Sequence, residues 1–193
     1  MKKLFVLIAL LLFVGHSFAA DDMEKVYSIP QNVKSAKAII PIYSQKLAFQ
    51  LPTTWKAGSR NQTAKMFMIE FLPKNEDINA WENLLTIQGF QGLSNRVTPE
   101  RFIMDTGNRF KSVFGNNCVF ENLGPLKVDG FEAHRGILGT SKVPNQDFCE
   151  VAYWLVIKGK NMNARNNLTF ALTAMAKIHR SSSNHSIQSK GLG

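Results

Sequence analysis

Two stretches of this 193-residue chain gather side chains capable of acid–base or metal chemistry. In "FLPKNEDINAWENLLTIQGF", residues 71–90, the carboxylates Glu76, Asp77 and Glu82 surround Trp81 just after an apolar run that Pro73 ends. A glycosidase-like pair needs one carboxyl buried enough to raise its pKa and facing a second across a cleft. Adjacent acids in a polar connector beside Lys74 give no reason for that geometry. The stretch reads instead as a corner, with Glu76 and Asp77 in water and Trp81 anchoring the next element in the core. The second stretch holds Glu132 and His134, which share one face of a regular strand and make an ion pair or half a metal site. A strand histidine hydrogen-bonded at the sheet surface is the plainer account of His134.

Nucleophilic and redox chemistry have less to stand on. The chain has no His-Glu-x-x-His, no Gly-x-Ser-x-Gly, no Walker loop and no clustered Cys/His set, so no catalytic residue and no cofactor is assigned. Its two cysteines, Cys118 and Cys149, lack Cys-x-x-Cys spacing. An even pair in an exported chain is expected to be bridged, which would stabilise by roughly 3 to 4 kcal/mol through loop closure. Two buried thiols are the alternative.

Export is read from "MKKLFVLIALLLFVGHSFAA": two lysines, an apolar core from Leu4 to Val14 and small residues before Ala19. That core is too short for the roughly 20 residues that span a bilayer. It is expected to be a signal cut near Ala19, sending the chain to the periplasm or outside the cell.

Residues 20–154 carry fifteen basic against fourteen acidic residues, whereas residues 155–193 carry six basic and none acidic. A nearly neutral body argues against a nucleic-acid groove, which interleaves basic residues with aromatics. The tail reads as solvated or as an attachment to anionic surfaces.

These side chains must be positioned by elements that the periodicity places. Residues 20–44 read as an N-terminal arm, 45–180 as one domain and 181–193 as a disordered basic and polar tail. Period-two alternation predicts strands at 45–51 and from residues 118, 131 and 148, while apolar runs predict strands at 64–72 and 84–90. Residues 98–115 change to helical spacing, with Thr98 as cap, Pro99 in the first turn and Gly115 at the end. Asp129-Gly130 marks a hairpin turn. "NLTFALTAMAKI" reads as a short strand leading into a helix, or as one helix.

The order of motifs resembles the PsbP-like family, which includes the Ran-binding Mog proteins, in its secreted bacterial branch. The likeness lies in "LAFQLPTTW", in the proline, acidic and tryptophan corner of residues 67–90, and in "YWLVIKGKN", over roughly residues 45–161. It implies an α+β fold of the α/β/α sandwich kind, a mainly antiparallel sheet with helices on both faces. It also implies action by binding other proteins rather than by catalysis.

The expectation is therefore an exported, non-enzymatic binding protein whose partner is another protein, with contacts at Trp81 and at the loop holding Gln91, Asn95 and Arg96. A metal-binding protein or hydrolase using Glu132 and His134, and attachment through the basic tail, are the alternatives.

Overall fold

In the computed structural model, residues 34–140, 148–159 and 168–179 are described. The expected signal peptide, the first part of the expected arm and the expected tail lie outside them. Elements in chain order are β1 (Ser35–Ile42), β2 (Gln45–Pro52), β3 (Trp55–Gln62), β4 (Met66–Pro73), β5 (Asn83–Gln91), α1 (Pro99–Phe114), a 3₁₀ turn (Gly115–Asn117), β6 (Cys118–Val128), β7 (Phe131–Thr140), β8 (Phe148–Lys158) and β9 (Leu168–His179). The second half of the arm is thus strand β1, β3 has no counterpart in the sequence reading, and residues 168–179 form one strand with no helix.

Seven strands make one antiparallel sheet in the order β3-β4-β5-β9-β8-β7-β6. After β5 the chain crosses through α1 to the far edge, starts β6, and meanders back until β9 slots in beside β5. That return brings residues nearly a hundred positions apart onto adjacent strands. Asp129 and Gly130, both at positive φ, close the β6–β7 hairpin as their sequence predicts.

Helix α1 starts where Thr98 Oγ1 accepts the Arg101 N–H at 3.1 Å and ends at Gly115, whose φ of 54° suits glycine. It lies over β6, β7 and β8, burying Ile103 and Phe110 against Leu138, Ala152 and Trp154. Gly107 permits that approach: a Cβ there would sit 2.8 Å from atoms of the Phe120 ring.

The opposite face is covered by strands. Ile40 and Ile42 of β1 with Leu47, Phe49 and Leu51 of β2 pack on Phe67, Phe71, Ile87, Ile157 and Phe170. Their apolar residues recur with period two, so only an extended chain turns them all to one side. Tyr43, at the hairpin tip, donates its hydroxyl to the Thr63 carbonyl at 2.9 Å and ties the hairpin to the β3–β4 turn. This corrects the sandwich expectation. The fold is α+β with a large antiparallel sheet, but among the described residues α1 is the single α-helix, and a β-hairpin takes the place of helices on the second face.

Candidate functional site

The 71–90 corner is built by hydrogen bonds to its own backbone. Glu76 accepts the main-chain N–H groups of Glu82 at 2.7 Å and Asn83 at 3.0 Å, clamping the start of β5. Asp77 is exposed and accepts from the Asn79 backbone at 2.9 Å, and that bond, with a second from the Asn79 side chain, lowers its pKa. Trp81 is half-buried, and the Lys177 ammonium lies 4.3 Å from its ring centre.

What that corner sits on was not legible in the sequence. Register places Glu150 of β8 opposite Lys177 of β9, and the Lys177 N–H donates to the Glu82 carbonyl at 2.8 Å. Glu150 is 4 % exposed, with its carboxylate 3.9 Å from the Lys177 ammonium. Burial pushes its carboxyl up to about 8; the Lys177 charge opposes the shift and the Glu82 charge adds to it. Near neutral pH Glu150 is therefore mainly a neutral acid. The only sequence signal was a charged residue inside the apolar alternation of β8.

The row continues across β7 to Thr140 and across β6 to Cys118, each directly opposite the next. It does not contain a disulfide, and here the sequence expectation is corrected: Cys118 and Cys149 are both free thiols. Strand β7 lies between them, and two inter-strand spacings of about 4.8 Å exceed the ~7 Å that a bridge spans. Burial raises the Cys118 pKa, so its thiol is poorly ionised, with Lys111 partly offsetting the effect.

The other singled-out residues are dispersed. Gln91, Asn95 and Arg96 lie at or beyond the far end of β5 from Trp81, roughly 30 Å away at about 3.3 Å per residue. On β7, Glu132 is held by Lys158 Nζ at 2.6 Å, while buried His134 has its Nε2 2.6 Å from the Asn122 side-chain oxygen. Their shared face is as expected, but each has its own partner. No group of three His, Cys, Asp or Glu side chains with metal-binding geometry occurs among the described residues.

A different surface carries unbalanced charge. Residues 34–69 contain Lys34, Lys37, Lys46, Lys56, Arg60 and Lys65 and no Asp or Glu, and all six cations are exposed. The near-neutral total of residues 20–154 conceals this segregation. Within it, a groove of about 290 Å³ lies between Ala36 and Ala38 of β1, Leu51 and Pro52 of β2, and Trp55, with Lys37 in its wall. The two alanines leave the space: they take the inward positions of β1 ahead of Ile40 and Ile42, which do reach the core.

No family model matches the chain, and no curated protein matches it in sequence. No helix among the described residues is long and apolar enough to cross a membrane.

Proposed function

We propose that this chain is an exported binding protein that holds another protein and performs no chemistry of its own. The observation that carries the reading is the Trp55 groove: an open apolar concavity lined by an aromatic and a proline, set in an exposed basic flank. Its volume is near the lower bound of about 300 Å³ for binding clefts, enough for one or two apolar side chains of a partner. Half-exposed tryptophans among polar neighbours are the residue type that most often dominates protein interfaces.

The acid–base groups support the same reading by how they are engaged. Glu76 and Asp77 bind backbone, Glu132 and His134 have separate partners, and Glu150 is out of reach of solvent. The motif resemblance to PsbP-like proteins, which mostly act by binding, points the same way.

The test compares residues 20–193 with a Lys37→Glu/Lys56→Glu variant, both immobilised and exposed to periplasmic and secreted extracts. The reading expects one or more proteins retained by the first and lost by the second. Turnover of a small substrate with no protein retained would reverse it.

A further inference from the structure

The basic flank, the groove and an open strand edge coincide. Strand β3 ends the seven-stranded sheet, and among the described residues nothing pairs with its outer side. It starts at Trp55, the residue that lines the groove, so the free main-chain edge begins where the apolar concavity ends. The cations follow the same line. Lys34 is fixed at the groove because its carbonyl accepts both the N–H and the hydroxyl of Thr53, at 2.9 and 3.1 Å. Lys37 lines the wall, Lys56 follows Trp55, and Arg60 stands further along β3 over the Phe67 ring, 5.3 Å from its centre.

These cations make no ion pair with another described residue. Asp77 is near enough to Lys56 for its own carboxyl to feel that charge, but the Lys56 ammonium donates to the Lys74 carbonyl at 3.1 Å. Glu70, the acid nearest to Lys56 and Arg60 along the chain, is hydrogen-bonded to Ser59 and Thr86. A row of unneutralised charge beside a strand edge keeps copies of the chain from pairing edge to edge, because like charges would face each other. The same row attracts a strand of opposite charge.

We propose that the Trp55 groove and the β3 edge together bind an extended, acidic segment of a partner protein. The segment adds to β3 through main-chain hydrogen bonds and sets one apolar side chain in the groove, while carboxylates on both of its faces meet Lys34, Lys37, Lys56 and Arg60, the last two lying on opposite faces of β3. The shift in register between Ala57 and Ser59 interrupts the edge, so continuous pairing is short and the groove supplies the anchor. An anionic membrane would satisfy the lysines but not the open backbone edge, and this is why a peptide is the favoured occupant.

The inference rests on the binding reading and narrows it, and its test separates the two. A fluorescein-labelled ten-residue peptide with glutamates at both odd and even positions and one central leucine is titrated into residues 20–193, with anisotropy as the readout. Controls are the same peptide with lysine for glutamate, the same with glutamine, and vesicles of phosphatidylcholine with phosphatidylglycerol. The expected result is saturable binding of the acidic peptide alone, weakened about tenfold or more by Lys37→Glu/Lys56→Glu and by raised salt. Replacing the leucine by serine should weaken it as well, and Trp55 should report contact by a fluorescence change that Trp81→Phe retains.

Equal binding of the glutamine peptide overturns the acidic class and leaves a binding protein. Retention by the vesicles with no peptide binding overturns the proposal in favour of a membrane surface. If no probe binds while extract proteins are still captured through Lys37 and Lys56, the edge mechanism is wrong and the broader reading survives.

Discussion

The Lys177 ammonium lies 4.3 Å from the centre of the Trp81 ring, while its carbon chain comes from β9, which no local sequence signal places beside the corner. Register makes this contact: β9 lies between β5 and β8, so Lys177 faces Glu82 on one side and Glu150 on the other. Such a cation–aromatic contact stabilises by about 0.5 to 2 kcal/mol, more as water is excluded. It fixes the corner onto the end of the sheet.

The buried acid beneath it makes stability depend on pH. The folded-state pKa of Glu150 is raised from 4.5 to about 8, so the folded chain holds a proton that the unfolded chain releases between those values. Stability from this group is complete below pH 4.5 and is lost as pH rises towards 8. The cost at pH 7 is on the order of 3 kcal/mol. Urea midpoints should fall from pH 5 to pH 8 in the native sequence and stay nearly level in Glu150→Gln; a parallel fall in both proteins would exclude Glu150 as the cause.

Removing the neighbouring cation should move the same titration. In Lys177→Met the Glu150 carboxyl loses the charge that favours its ionised form, and its pKa should rise further. Carboxyl-carbon NMR shifts read this directly. An unchanged titration would mean that the pair is not coupled in solution.

Glu76→Ala should loosen the corner without unfolding the domain. It removes an ionised acceptor from the Glu82 and Asn83 amides, with a loss of about 1 to 3 kcal/mol. Faster hydrogen exchange at those amides, with the centre of β5 still protected, is the expected pattern.

Gly107→Ala sets two effects against each other. Alanine gains about 1 kcal/mol of helix propensity, but its Cβ would meet the Phe120 ring at 2.8 Å. Overpacking of that kind costs about 1 to 3 kcal/mol, so the melting temperature should fall. Gly107→Ala with Phe120→Leu should recover part of the loss, which a propensity effect would not.

The thiols offer a covalent check. Two reactive groups per chain should be counted in guanidinium without reductant, because β7 separates Cys118 from Cys149. A count of zero with an intact monomer would require a different strand order.

Much of the fold was written locally. Alternation in β2, β6, β7 and β8, the Thr98 and Gly115 caps of α1 and the Asp129-Gly130 turn follow from side-chain direction and backbone preference, which act over a few residues. The corner was legible only in part: Asp77 is exposed as expected, but Glu76 and Trp81 are half-buried, and Glu76 binds amides six and seven residues ahead. Strand β3 was not, because its "WKAGSRNQ" has a solvated edge and little apolar alternation to reveal it. Nor was β9, whose alanines and leucines suit a helix until it is inserted between two strands that supply its hydrogen bonds.

The sequence by itself determined the alternation of β2, β6, β7 and β8, the caps of α1 and the Asp129-Gly130 turn, and it determined the type of each titratable group. Tertiary structure decided which of those groups meet. Strand order depends on hydrogen bonds and packing between residues far apart in the chain, and no local period encodes it. Through that order Glu150 came beside Lys177, whose ammonium lies on the Trp81 ring, the cysteines fell on strands that cannot be bridged, and Lys34, Lys37, Lys56 and Arg60 came to the open edge of β3 and the groove beside it.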